Sequence, residues 1–424
     1  MAAAARRRTQ WPGSVVRRRQ LRVALFIDPP VWPAHGRLWS HLVSDASFEE
    51  LHQFAAAHSV PRRGFERDHY DVPARAYDPL VAAGATPVSS REVVRRLTAA
   101  GLRRRKSGAP APRPAGRGLL RTPRLRNGDL VAVVSPAGPV EAVQLAAGVS
   151  LLESWGLRVS LGDHVLGRHE RLAYLAGTDA ERAADFSAAW LHPQVRAVFA
   201  ARGGFGSGRV VPLLDWHRLA EAEPKALVGF SDITVLHQAL ATRLGLVSVL
   251  SHVVSSLVEA TQGSAERLRR LLFSPDQELD LLQGTSGAVE AWAPGRTDGI
   301  LLGGNLALLT AGVGTCFTHP ARGAIVVLED IAEVPRRIDR QLTQLTDSGW
   351  FDGVRGIVLG AFTDCGDARD VDAVLRERLL PFGIPVLAGV DVGHTPGTIS
   401  IPLGVSATLD ADAGSLVLNH SALS

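Results

Sequence analysis

Short apolar runs, each closed by glycine, proline or polar turn residues, alternate along most of the chain with stretches whose apolar positions recur every three or four residues. Leu130–Val134, Leu157–Ser160, Val195–Ala200 and Lys225–Phe230 read as buried strands. Between and after them, the segment through Leu145 and Leu151–Leu152 and the segment Ile233–Ala239 read as helices. Strands alternating with helices predict an α/β domain with a mainly parallel sheet, whose active groups lie where strands end and helices begin. A second unit of the same kind begins near Gly299. It contains the apolar run Leu301–Thr310, the strand Ala324–Leu328, the helix Arg336–Leu345, the strand Gly356–Leu359, the segment Val386–Gly389 and a β-like tail, Ser406–Val417.

The front of the chain has its own pattern. Arg22–Ile27 is strand-like and is ended by Asp28-Pro29-Pro30. Ser47 to Ala57 reads as a helix with Ser47 as N-cap and Glu50 three residues on, as in a capping box. A further helical pattern runs through Val93, Val94 and Leu97. The expected organisation is a disordered leader (1–20), a small α/β domain (21–102) and a flexible linker (103–123) rich in Arg, Pro, Gly and Ala. Then follow a first α/β domain (124–255), a more polar inter-domain crossover (256–298) and a C-terminal domain (299–424). No repeat of the solenoid kind stands out.

Composition narrows the class. The chain has 424 residues, 46% of them hydrophobic and 21% charged, which fits a soluble folded protein of two or three domains. No apolar run approaches the length of a membrane span. The arginine-rich start lacks the apolar core of a secretory signal, so a cytoplasmic location is expected. Two cysteines, Cys316 and Cys365, cannot build a disulfide framework or a cysteine zinc site.

Charge is divided unevenly. Residues 1–122 carry a net of +13 and the remaining 302 residues a net of −9, so the basic excess belongs to the front, in Arg6–Arg8, Arg17–Arg19 and Arg103–Lys106. Aromatic residues do not interleave with these arginines and no recognition helix stands out, so specific nucleic-acid binding is not expected.

Four residues stand out for chemistry. Ser231, in Gly229-Phe230-Ser231-Asp232, lies between an apolar strand and a helix, where free helix N–H groups can bear a developing oxyanion. An ordinary N-cap serine fits the same pattern. Glu329 and Asp330 end the strand Ala324–Leu328 and are placed at the active edge of a parallel sheet, or cap the next helix or pair with Arg336, Arg337 or Arg340. His394, in Val392-Gly393-His394-Thr395-Pro396-Gly397, sits in a glycine-flanked loop and can serve as a general base. The turn Arg202-Gly203-Gly204-Phe205-Gly206 lacks P-loop and dinucleotide spacing, and fits a backbone turn offering N–H groups to a carboxylate or oxyanion. No His-Glu-x-x-His pattern occurs, so no metal and no cofactor is implied.

In combination these segments resemble the LD-carboxypeptidase family of serine peptidases, which includes muramoyltetrapeptide carboxypeptidase, over about residues 124–422. The resemblance rests on Gly128-Asp129 with Val133–Gly138, Arg202–Gly206, Gly229–Asp232, Gly303-Gly304-Asn305-Leu306, Leu328-Glu329-Asp330 with Arg337–Arg340, and Gly393-His394 with Pro402-Leu403-Gly404. It implies a Rossmann-like or flavodoxin-like nucleophile domain followed by a second α/β domain that carries Glu and His, preceded here by a small α/β domain.

Carried over, Ser231 is the nucleophile, His394 the general base and Glu329 the residue that orients it. The resemblance further implies a homodimer acting on murein tetrapeptides in peptidoglycan recycling. Oxyanion contacts are expected from Asp232, Gly203 and Gly204, and a carboxylate contact from Arg202. Two departures occur: His252-Val253-Val254 where the family commonly has His-Gly-Pro, and Val334-Pro335-Arg336 where an aromatic pair is common. A branch similar to the microcin C self-immunity peptidases is the alternative, with Trp292 as the residue to stack on a nucleobase. Residues 23–102, with Ile27–Pro30, Trp39–Leu42 and Asp68–Asp71, resemble a small bacterial domain of unknown function, whose polar His and Asp residues fit either a site or surface and capping roles.

Overall fold

The computed structural model describes residues 25–34, 37–66, 68–100, 102, 119–277, 279–284 and 288–424. The chain divides into two compact units, residues 1–107 and 108–424. The expected leader 1–20, residues 103–118 of the expected linker and the arginine clusters Arg6–Arg8, Arg17–Arg19 and Arg103–Lys106 lie outside the described residues. Leu119, Leu120 and Thr122, placed in the linker by composition, make backbone hydrogen bonds within the second unit. Leu119 N–H donates to the Gly404 carbonyl at 2.9 Å and Ser424 N–H to the Thr122 carbonyl at 3.0 Å.

In the front unit a six-stranded sheet runs in the order Phe65–Glu66, His69–Pro73, Arg37–Ser44, Leu25–Ile27, Thr86–Pro87, with Trp32–Ala34 also paired to Arg37–Ser44. Period-two alternation divides its apolar residues. Leu25, Ile27 and Leu42 join one cluster with Leu51 of the helix Phe48–Ala57, while Phe26 and Val43 meet Val93 and Leu97 of the helix Ser90–Ala99 on the other face. The first helix is capped by half of the expected box: Ser47 Oγ accepts from Glu50 N–H at 3.1 Å, but the Glu50 carboxylate accepts from Ser44 Oγ instead.

The second unit contains two sheets. In the first, Arg158–Leu161, Leu130–Val134, Val195–Ala200, Ala226–Gly229 and Ser248–Leu250 are neighbours in that order, all parallel. Both faces of Leu130–Val134 are buried, Val131 and Val133 in one cluster and Ala132 and Val134 in another, which is why the strand is a continuous apolar run. In the second, Val386–Ala388, Gly356–Thr363, Ala324–Ile331 and Arg296–Asn305 are parallel, flanked by antiparallel Glu290–Ala293 and the hairpin Ser406–Asp410/Ser415–Leu418. The apolar run Leu301–Thr310 divides at Asn305, which ends the strand and caps the helix Leu306–Ala311.

One hydrophobic cluster joins the two sheets. It takes Val131, Val133, Val228 and Val249 from the first and Leu301, Ile325, Val327 and Val358 from the second. The crossover contributes more than its polarity predicts: the helix Gln262–Phe273 buries Leu268, Leu271 and Leu272, an i, i+3, i+4 face, in the same cluster. The chain also returns late to the first sheet, where Ile401–Leu403 pairs antiparallel with Ser248–Leu250. Among the described residues no helix is long and apolar enough to cross a membrane.

Candidate active site

Ser231 stands two residues after the strand Ala226–Gly229 and opens the 3₁₀ turn Ser231–Ile233, which runs into the helix Thr234–Arg243. Its φ of 61° is in the left-handed region, which a residue with a Cβ occupies at a cost of order 1–3 kcal/mol. A strained strand-to-helix turn of this kind is where elbows present a nucleophile. Gly203 lies directly against it: a Cβ there would come within 2.9 Å of Ser231 Cβ and 3.2 Å of its Oγ. The absence of a side chain at 203 therefore lets the backbone of that loop approach the serine.

Glu329 is in the strand Ala324–Ile331 of the second sheet, with its side chain fully buried. His394 follows Gly393 after the strand Val386–Ala388 and is 15% exposed. The structure brings these three distant residues into one hydrogen-bonded line. His394 Nε2 is 3.0 Å from Ser231 Oγ, and His394 Nδ1 is 2.7 Å from Glu329 Oε2. Phe230 packs on the imidazole with ring centroids 4.7 Å apart. Gly393, at φ 117°, is required by the approach of Glu329, whose Oε2 would be 2.8 Å from a Cβ at that position. The ring is thus fixed at both nitrogens and along one face, and a line of this kind can deprotonate a serine hydroxyl while stabilising the resulting imidazolium.

The other expected residues fall out as follows. Asp232 is buried and accepts from Ser207 N–H at 2.7 Å; burial holds its carboxyl above the usual range despite that hydrogen bond. Its side chain is thus a brace for the glycine loop. Gly203 and Gly204 adjoin Gly138, whose N–H donates to the Gly203 carbonyl at 2.8 Å. Arg202 is exposed and donates from Nη1 to the Pro139 carbonyl at 2.8 Å. Asp330 caps the preceding helix Leu306–Ala311, not the helix that follows as the sequence suggested, and no hydrogen bond joins it to His394 among the described residues. Its carboxylate accepts from Asn305 Nδ2 and Ala307 N–H, both at 2.9 Å, and burial pushes it up to about 6. Trp292 lies in the edge strand Glu290–Ala293, with the Arg376 guanidinium 3.8 Å from its ring centroid and its Nε1 donating to Glu290 at 2.8 Å.

Sequence reading missed three supports. Buried His237 bridges the Gly229 carbonyl and Ser248 Oγ, each at 2.8 Å, and fixes the end of the strand that leads to Ser231. Desolvation lowers its pKa to about 4, so the ring is neutral at pH 7. Buried Arg182 donates to the Pro136 and Gly206 carbonyls at 2.7 and 2.8 Å and pairs with Asp179, clamping both loops beside the serine. Thr234 Oγ1 accepts from Asn305 N–H at 3.0 Å, a direct tie between the two sheets' active ends. Of these, only Arg182 carried a signal, a charged residue beside the apolar positions Ala183, Phe186, Ala189 and Trp190 on a helix face it shares with buried Asp185. At the departure His252-Val253-Val254, His252 is buried between Ser256 and Ser264, and burial lowers it to about 4. Val334-Pro335-Arg336 starts the helix Pro335–Asp347 with proline at its first turn.

Residues 131–251 match the model of the LD-carboxypeptidase N-terminal domain, and residues 298–409 that of the LD-carboxypeptidase C-terminal domain. Residues 25–100 match a family described as protein of unknown function (DUF4031). A Streptomyces coelicolor chain bearing a carboxypeptidase name is 47% identical over 309 residues, covering 72% of this chain and 98% of its own length. The murein tetrapeptide carboxypeptidase of Pseudomonas aeruginosa is 35% identical over 296 residues, 66% of this chain and 93% of that protein. Among solved structures, MccF in complex with glutamyl sulfamoyl guanosine superposes with a TM-score of 0.64 at 25% identity, over 72% of this chain and all of that one.

Proposed function

The chain belongs to the LD-carboxypeptidase family as a serine carboxypeptidase, and from that premise we propose that it releases the terminal D-alanine of murein tetrapeptides through Ser231, His394 and Glu329. The observation that carries this reading is the two-bond line Ser231–His394–Glu329, at 3.0 and 2.7 Å. In it, His394 Nε2 takes the Ser231 proton as Oγ attacks the carbonyl carbon of the L,D peptide bond. Glu329 keeps the Nδ1 proton in place and offsets the imidazolium charge. Collapse of the tetrahedral intermediate breaks the C–N bond, and His394 passes its proton to the departing amine of D-alanine. Water, deprotonated by the same imidazole, then hydrolyses the ester and restores the serine.

Backbone N–H groups of Asp232 and of Gly203 or Gly204 serve as the oxyanion contacts; the close approach of Gly203 to Ser231 favours them. Arg202 has N–H donors beyond the one given to Pro139, and these suit the terminal carboxylate of the substrate. Cytoplasmic recycling of cell-wall peptides is the setting that fits this substrate, with the enzyme as a homodimer; sedimentation of the full-length protein checks the latter. The nucleotide-conjugate alternative would stack a base on Trp292, one face of which is covered by Arg376.

The deciding experiment is D-alanine release from a purified murein tetrapeptide by full-length enzyme and by Ser231→Ala. The expected loss is about 10⁴-fold or more in kcat. Full activity in the variant overturns the assignment. Cleavage of an aminoacyl sulfamoyl nucleoside alone, with the tetrapeptide untouched, overturns the substrate.

A further inference from the structure

The front unit carries a second cluster of chemistry. Its strands Arg37–Ser44 and His69–Pro73 run antiparallel, with His41 directly opposite Asp71. His69 precedes Asp71 by two residues and therefore shares its face of the sheet. The pairing register thus gathers His41, His69 and Asp71 on one face, although 28 positions separate the first from the second. His69 Nε2 is 3.3 Å and His41 Nε2 is 3.9 Å from Asp71 Oδ1. One donor atom from each of the three side chains lies within 4.8 Å of the other two. Ligands bound tetrahedrally to zinc at about 2.0–2.1 Å sit roughly 3.3 Å apart, so these atoms stand close to the separation an ion requires.

The other ring nitrogens are already occupied, and by carboxylates. His41 Nδ1 is 3.0 Å from Asp28 Oδ2, and His69 Nδ1 is 2.7 Å from Asp68 Oδ1. Asp28 and Asp68 are almost wholly buried. Asp28 is itself held by the backbone N–H of His41 and by Ser90 Oγ, at 2.5 and 2.6 Å. A carboxylate behind each imidazole is the arrangement that orients metal-bound histidines: it sets the Nδ1–H tautomer and leaves Nε2 as a lone-pair donor. Both Nε2 atoms are directed to the same carboxylate oxygen. His41 and Asp71 also line a cleft of about 680 Å³ with Trp39, Arg37 and Arg75, which gives an ion a path from solvent and leaves room for a further ligand.

We propose that His41, His69 and Asp71 form a binding site for a divalent transition-metal ion, with Asp28 and Asp68 as the residues that position the two imidazoles. Two imidazole nitrogens and one carboxylate oxygen suit zinc, iron(II) or manganese(II), and three protein ligands leave a coordination position for water or substrate. The motif is invisible as a spaced sequence pattern because its ligands come from paired strands and not from one helix.

Tag-free full-length protein, stripped with chelator, is titrated with Zn²⁺ by calorimetry and with Co²⁺ by visible absorption. The expected result is one ion per chain with a dissociation constant on the order of 1 μM or tighter. A ligand-field band from Co²⁺ is expected to disappear when Zn²⁺ displaces it. Asp71→Asn and His69→Gln should weaken binding by about 100-fold or more, and Asp28→Asn or Asp68→Asn by about 10–100-fold. Asp71 is partly exposed, so Asp71→Asn tests the ligand without opening a core. No binding at millimolar Zn²⁺, or binding undiminished in Asp71→Asn and His69→Gln, overturns the proposal and leaves an ion-pair network. The readout is metal affinity, so the outcome is independent of the serine site.

Discussion

At Ser231 and Gly393 the backbone adopts conformations that side chains resist; Ser231 is one end of the hydrogen-bonded line and Gly393 directly precedes its central residue, His394. Gly393 cannot take a side chain without displacing Glu329, from whose Oε2 a Cβ would be 2.8 Å away. Gly393→Ala is therefore expected to reduce kcat by about 100-fold with little change in KM, because a displacement of about 1 Å in a base is enough for a loss of that size. Steady-state kinetics on the tetrapeptide separate this from lost substrate binding, which would raise KM instead. His237 gives a prediction about pH. Its folded pKa, about 4, lies below the ordinary value of 6.5, so on acidification the unfolded chain takes up the proton first. The stability that rests on its neutral ring is complete above pH 6.5 and is lost progressively as pH falls to about 4. Urea unfolding of the wild type and His237→Gln should show a stability gap that narrows by roughly 3 kcal/mol over that window. A gap that does not change with pH would mean the ring is not buried neutral.

The elements matter through their ends. Ser231, Glu329 and His394 each lie at or beyond the C-terminal end of a parallel strand or in the loop that follows one, where an α/β sheet exposes its functional groups. Asn305 and Thr234 tie two such ends together across the sheets. Thr234→Val removes the acceptor and leaves the buried Asn305 N–H unpaired, at an expected cost of about 1–3 kcal/mol. A fall of a few degrees in Tm by calorimetry, accompanied by lower kcat, is the expected outcome. Unchanged Tm and kcat would show that this tie contributes nothing. The strand Ile401–Leu403 has a comparable linking role, since residues close after His394 complete the edge of the sheet that carries Ser231.

For the whole molecule, the shared cluster between the two sheets keeps the serine side and the histidine side in one body. The front unit forms its own core, with Leu25, Ile27, Leu42 and Leu51 in one cluster and Phe26, Val43, Val93 and Leu97 in the other. Removing residues 1–118 should therefore leave peptidase activity within a few-fold of the full-length enzyme. Removing residues 1–123 should not be equivalent. It deletes Leu119, which is 8% exposed and packs in the shared cluster, and Leu120, whose N–H and carbonyl bond to Gly245 and Val247. The shorter protein should unfold at lower temperature, by differential scanning calorimetry. Identical unfolding of the two truncations would show these contacts to be dispensable.

The α/β class, the positions of most buried strands and the Ser231, Glu329 and His394 candidates were legible in the sequence because each has a local cause. Buried parallel strands need unbroken apolar runs, and turns that bring backbone close need glycine. Family motifs then singled out three residues from many of the same type. The tertiary structure decided what has no local signature. It alone placed residues separated by 65 and 163 positions within hydrogen-bond distance. It made Asp330 a cap and Asp232 a brace, and buried a helix within a stretch polar enough to read as a crossover. It sent the late strand Ile401–Leu403 back to the first sheet, and covered one face of Trp292 with Arg376. In each case the outcome depends on which surface the rest of the chain brings up against a residue, and that surface is set by packing between distant segments, which no window of neighbouring residues contains.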